Sequence, residues 1–125
     1  MSERARLLSQ ATKAAQPLSA YLELTYHCNW RCVFCYNPRH FDLKRMSAAR
    51  WIEVLDDLRT LGTLNVALTG GEPLTHPEFF DIAEAARNRH FVLRIFTNGS
   101  LVTNENADRI ASLSPFFVEM SLHGS

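Results

Sequence analysis

Leu64-Asn-Val-Ala-Leu-Thr-Gly-Gly-Glu-Pro73 is a short apolar run closed by two glycines and a proline, the pattern of a buried strand that ends in a tight turn. Working outward, the same unit recurs on both sides. Ser47 suits the N-cap of a helix running to about Leu61 and ended by Gly62, with Trp51, Val54, Leu55 and Leu58 at helical spacing. Pro77 suits the first position of a helix reaching about Arg89. Phe91 to Thr97 reads as the next strand, Thr103 as the cap of a helix to about Leu113, and Phe116 to Leu122 as a strand after the Ser114-Pro115 break. Upstream, Ala20 to Tyr26 alternates as a strand, and Ser2 caps a first helix over about residues 3 to 15 that Pro17 stops.

Strand, helix, strand is therefore the repeating unit, which predicts an α/β fold with parallel strands and crossover helices. In such folds ligands sit at the carboxyl ends of the strands. The residues richest in chemistry fall there. A cysteine-rich loop follows the first strand, Gly70-Gly-Glu-Pro73 follows the second, Thr97-Asn-Gly99 ends the third and Ser121-Leu-His-Gly124 ends the fourth. The placement predicts one shared site.

The loop after the first strand is His27-Cys-Asn-Trp-Arg-Cys-Val-Phe-Cys-Tyr36, which holds all three cysteines of the chain in a Cys-x3-Cys-x2-Cys spacing. Thiolates so clustered ask for a soft metal. A 4Fe-4S cube usually takes one thiolate per iron, so a loop supplying Cys28, Cys32 and Cys35 leaves one iron open to a non-protein ligand. Two other readings of the same residues stand beside this one. With His27 or His40 the three thiolates make a Cys3His set that zinc accepts in a structural or interaction module. A fourth ligand such as His27 could also close an iron-sulfur site built only for electron transfer.

The spacing resembles the signature of the radical S-adenosylmethionine (radical SAM) superfamily, and the motifs after strands two, three and four resemble that family's others, in the right order. The resemblance spans roughly residues 18 to 125. It looks closest to the SPASM-type branch that matures peptides and cofactors, whose fourth strand similarly ends in Ser-Leu-x-Gly. It implies a partial (βα)6 TIM-like barrel, with about four of its strands here. It also implies a 4Fe-4S cluster held by Cys28, Cys32 and Cys35, with S-adenosylmethionine on the open iron. There the sulfonium is cleaved reductively to a 5'-deoxyadenosyl radical that abstracts hydrogen from a peptide or small-molecule substrate, with a flavodoxin- or ferredoxin-like electron donor.

Site residues carry over position by position. Gly70, Gly71 and Glu72 match the motif that contacts the methionyl amino group, and Glu72 offers carboxylate and backbone acceptors to that ammonium. Phe34 and Tyr36 flank the last cysteine where the family places an aromatic near adenine; either could simply shield a cluster. Thr97, Asn98 and Ser121 match polar positions facing ribose or carboxylate oxygens. Gly70-Gly71 is also what a plain strand-to-helix turn requires, and Asn98-Gly99 is a common turn pair in its own right. The histidines, His123 included, read as solvated or locally bonded. Trp51, Phe79, Phe80, Phe116 and Phe117 read as core, and Arg39, Lys44 and Arg45 as a solvated loop.

Composition excludes several classes. Hydrophobic residues make up 46%, enough for a core, and 13 basic residues balance 13 acidic ones, which gives no electrostatic case for nucleic acid. The charged start, Met1 to Arg6, leads into no apolar run of signal-peptide length, and nothing reaches the ~20 apolar residues of a membrane span. Three cysteines in one short loop do not make a secreted disulfide scaffold. A cytoplasmic enzyme is the expectation. Residues 1–17 read as a leader helix and 18–125 as a core domain lacking its last strand-helix units. The edge this leaves on strand four would need covering by other chain.

Overall fold

The computed structural model describes residues 2–26 and 45–120. Helix α1 (Glu3–Lys13) leads into β1 (Ser19–Glu23), α2 (Ala48–Leu61), β2 (Asn65–Thr69), a single 3-10 turn (Pro73–Thr75), α3 (Phe79–Asn88), β3 (Val92–Thr97), α4 (Asn104–Ser112) and β4 (Phe117–Met120).

Local chemistry sets the helix ends. The hydroxyl of Ser47 accepts from the Arg50 N–H at the start of α2, and Gly62 ends that helix at φ +89°, a left-handed cap that glycine adopts without a Cβ penalty. Thr103 and Asn106 cap α4 reciprocally, each side chain accepting from the other's backbone N–H. Pro77 does not open α3, which starts at Phe79. The reason is local: the Glu78 N–H donates to His76 Nδ1, and the Glu78 carboxylate accepts from Ala48 N–H at the head of α2 instead of capping its own helix. The proline that sits at a helix start is Pro73, in the 3-10 turn.

The four strands form one sheet in the order β1-β2-β3-β4, every pair parallel, with Ala20 opposite Val66, Val66 opposite Leu93 and Ile95 opposite Val118. Side chains alternate across a strand, so this register assigns each face. Leu22, Leu24, Val66, Leu68, Leu93 and Ile95 point to one side and form the core with Trp51 and Leu55 of α2, Phe79 and Ile82 of α3 and Ile110 of α4. Leu55, Val66, Leu68, Ile82, Leu93 and Ile95 are wholly buried. Full burial of each such side chain is worth about 1.5–3 kcal/mol, which makes this layer the main source of stability.

The opposite face carries a different row. Tyr21, Ala67, Arg94 and Phe117 are in register across the four strands, and the Arg94 guanidinium carbon lies 5.2 Å from the centre of the Tyr21 ring and 5.8 Å from that of Phe117. Phe96 meets both rings at 5.9 Å. Helices α2, α3 and α4 thus cover one face only, as in a (βα) barrel, where the other face lines the interior; a doubly wound sheet is covered on both.

Two aromatic residues depart from the sequence-based expectation. Trp51 and Phe79 are buried and Phe80 packs against the core, but Phe116 is 74% exposed and Phe117 38%. Both lie at β4, the outermost strand, where no described element packs beyond them. No helix among the described residues is long and apolar enough to cross a membrane.

Candidate functional site

At the carboxyl end of β2 the chain turns sharply at Gly70, whose φ of +137° suits glycine alone. A Cβ there would stand 2.4 Å from the Thr25 carbonyl oxygen, so a bare backbone is what lets the turn lie against the end of β1. The Gly71 N–H donates to that same oxygen at 2.7 Å. Pairing of β1 with β2 therefore stops short of the predicted Tyr26: the Leu24 N–H still reaches Thr69, and Thr25 turns its carbonyl to the glycines.

Glu72 follows, and its side chain is wholly buried. Its carboxylate accepts three hydrogen bonds. Oε2 accepts from the Leu74 N–H at 3.1 Å and from the Thr97 hydroxyl at 2.7 Å, and Oε1 accepts from the Asn98 N–H at 2.7 Å. A buried carboxylate must be compensated, and here three neutral donors compensate it. Thr97, 4% exposed, gives its one hydroxyl proton to Glu72 and accepts from the Gly99 N–H at 3.1 Å.

The next residues complete the second turn. The Asn98 side-chain oxygen accepts from both the backbone N–H and the hydroxyl of Ser100, at 2.9 and 2.7 Å, and Gly99 takes φ +79°. That is the Asx turn to which Asn-Gly is suited, so the turn chemistry read from this pair is realised. Gly70, Gly71, Glu72, Thr97 and Asn98 are thus brought together at the carboxyl ends of the two central strands. Cys28, Cys32, Cys35, Phe34, Tyr36 and Ser121 lie outside the described residues, as do His27, His40, His123, Arg39 and Lys44.

A second set of contacts ties the first turn to the segment that follows the cysteine-containing stretch. His76 is 3% exposed; its Nδ1 accepts from Glu78, so Nε2 carries the proton and donates to the Met46 carbonyl at 2.8 Å. Arg45 reaches the Thr75 carbonyl at 3.5 Å, which makes it a local brace. No spacing in the sequence announced the His76–Met46 link, which joins residues thirty positions apart.

A one-sided parallel sheet with glycine turns at its carboxyl ends, on a chain that carries a three-cysteine loop after β1, defines the barrel class of cluster- and nucleoside-binding domains. The chain belongs to the Radical SAM superfamily, whose family model matches residues 22–125. It is 31% identical over 122 residues, 96% of its length and 31% of the relative's, to the mycofactocin maturase MftC of Mycobacterium tuberculosis. It is 35% identical over 105 residues, 82% of its length and 30% of the relative's, to the tungsten-containing aldehyde ferredoxin oxidoreductase cofactor-modifying protein of Pyrococcus furiosus. Its fold is similar to that of Streptococcus suis SuiB bound to the precursor peptide SuiA, with a TM-score of 0.78, 22% identity, 95% of this chain and 28% of that one covered. The chain thus spans about a third of the length of the relatives it matches. Their names are those of maturing enzymes, in line with the branch that the motifs resemble.

Proposed function

We propose that this chain is the cluster- and cofactor-binding part of a radical SAM enzyme that matures a peptide. In this reading Cys28, Cys32 and Cys35 hold three irons of a 4Fe-4S cluster, and the Gly70-Gly71 main chain receives the methionyl end of S-adenosylmethionine. The structure fits that group: the turn bears no Cβ over its main chain, and the neighbouring Glu72 and Thr97 side chains face inward. When bound, the cluster and the cofactor supply one-electron cleavage of the sulfonium and a radical able to take hydrogen from an unactivated C–H bond.

The residues of the chain have narrower tasks. The cysteine thiolates bind, the glycine turn admits the ligand's polar end, and the Asn98-Gly99 turn shapes the wall beside it. Phe34 and Tyr36 supply aromatic surface for adenine, and Ser121 a hydroxyl at the end of the fourth strand. The wall of Tyr21, Phe96 and Phe117 on the uncovered face keeps a reactive centre away from water.

The observation that carries the reading is the joining of the turns after β2 and β3 into one unit at the carboxyl ends of the sheet. A peptide substrate is supported by the relatives named as maturases and by the precursor peptide bound to SuiB. A flavodoxin- or ferredoxin-like donor and a cytoplasmic location complete the proposal.

The test is anaerobic. The protein is reconstituted with iron and sulfide, reduced and given S-adenosylmethionine, and 5'-deoxyadenosine is measured by mass spectrometry. Cofactor-dependent 5'-deoxyadenosine is the expected result. Zinc bound in place of iron, or a cluster whose spectrum ignores the added cofactor, would overturn the reading in favour of a structural site or a closed electron-transfer centre.

A further inference from the structure

The Glu72 carboxylate and the Thr97 hydroxyl stand at the centre of the candidate site, yet neither is presented to it. Both are buried, and their bonding is directed at each other and at the backbone of the two turns. We infer that Glu72 and Thr97 serve cofactor binding as positioning residues: together they lock the turn after β2 to the turn after β3, and neither side chain touches the ligand. The inference rests on the functional reading above and assigns these two residues a different task from that of direct ligands.

The geometry supports the assignment at three points. Both carboxylate oxygens are engaged, Oε2 twice and Oε1 once, so the charge is already compensated within the fold. Thr97 has one hydroxyl proton and gives it to Glu72 at 2.7 Å, which leaves none for a ribose or carboxylate oxygen. The donors come from both turns: Leu74 lies just after the Gly70-Gly71 turn, while Asn98 and, through Thr97, Gly99 belong to the other. Without the carboxylate, the Asn98 N–H loses its partner and the second turn is released from the first.

Substitutions separate positioning from contact. In Glu72→Gln one oxygen becomes an NH2, which cannot accept, so whichever way the amide is turned it faces a backbone N–H of Leu74 or Asn98. Thr97→Val removes the hydroxyl at nearly constant volume, and Thr97→Ser restores it. Two quantities are read on the whole protein: amide exchange at Asn98 and Gly99 without cluster or cofactor, and equilibrium binding of S-adenosylmethionine to the reconstituted protein.

Positioning predicts that Glu72→Gln and Thr97→Val accelerate exchange at Asn98 and Gly99 by about tenfold or more, the effect of losing a charge-assisted hydrogen bond. It predicts a parallel weakening of cofactor affinity with cluster iron unchanged, and near wild-type values of both for Thr97→Ser. Weaker binding with wild-type exchange would make the side chains direct ligands and overturn the inference. Faster exchange with wild-type affinity would overturn the link between the clip and the cofactor. A wild-type protein that holds its cluster but binds no S-adenosylmethionine would overturn the functional reading and this inference with it, while the exchange data would still report the clip. Should Glu72→Gln fail to fold, the Thr97→Val and Thr97→Ser pair decides the matter alone.

Discussion

Gly70→Ala tests the tightest backbone approach in the molecule. The added Cβ would meet the Thr25 carbonyl oxygen at 2.4 Å and the Thr25 nitrogen at 3.1 Å, whereas ordinary contact begins at 3.4 Å. The ends of β1 and β2 would have to part by about 1 Å, a displacement that breaks the 2.7 Å bond from the Gly71 N–H to the same oxygen. Losing that bond costs about 0.5–1.5 kcal/mol, and a φ of +137° imposes about 1–3 kcal/mol of backbone strain on alanine. The sum is about 2–4 kcal/mol. With a urea dependence of about 1–3 kcal/mol per molar, the unfolding midpoint should fall by about 1–2 M.

Gly99→Ala is the control. Its φ is +79° and its Cβ would meet only the flexible Met120 side chain, at 3.1 Å from the sulfur, so the backbone term of about 1–2 kcal/mol is all that applies. Both variants are unfolded in urea and followed by circular dichroism. If Gly70→Ala unfolds at the same urea concentration as Gly99→Ala or above it, the close approach at Thr25 does not constrain the turn and the reasoning fails.

Two further outcomes are expected. Cys32→Ala should lose the intact 4Fe-4S centre, read as iron and sulfide per chain and as visible absorbance after reconstitution; full absorbance in the variant would remove Cys32 from the ligand set. Leu55→Ala, at a wholly buried position of α2, should destabilise the domain by about 2–5 kcal/mol in denaturant unfolding. A change below about 0.5 kcal/mol there is the size seen at surface sites and would contradict the packing of α2 on the sheet.

Much of the architecture is legible in short stretches because it rests on short-range physics. A serine before a helical pattern and a glycine after it mark α2 at Ser47 and Gly62, since the groups left unpaired at helix ends are satisfied by residues nearby in sequence. The apolar run at Leu64–Thr69 cannot be anything but buried, and the glycines behind it announce a positive φ, which Gly70 shows. Pro77 misleads by two residues because Glu78 bonds to α2, a partner that local reasoning does not supply. Phe116 and Phe117 mislead for a related reason: burial depends on what packs beyond β4, and an apolar pattern does not say whether anything does.

At the candidate site the division runs through single side chains. Sequence alone determined which residues gather at the carboxyl ends of the strands, because strand-helix alternation leaves every post-strand motif on the same edge of a parallel sheet. It also determined the three thiolates, whose chemistry needs no partner to be recognised. Which way Glu72 and Thr97 face was decided only by the tertiary structure. They lie twenty-five residues apart and meet because the parallel register of β2 with β3 sets the ends of those strands side by side. A carboxylate that would otherwise have been solvated is thereby buried among three donors from two turns, an arrangement that exists only once both strands are in place.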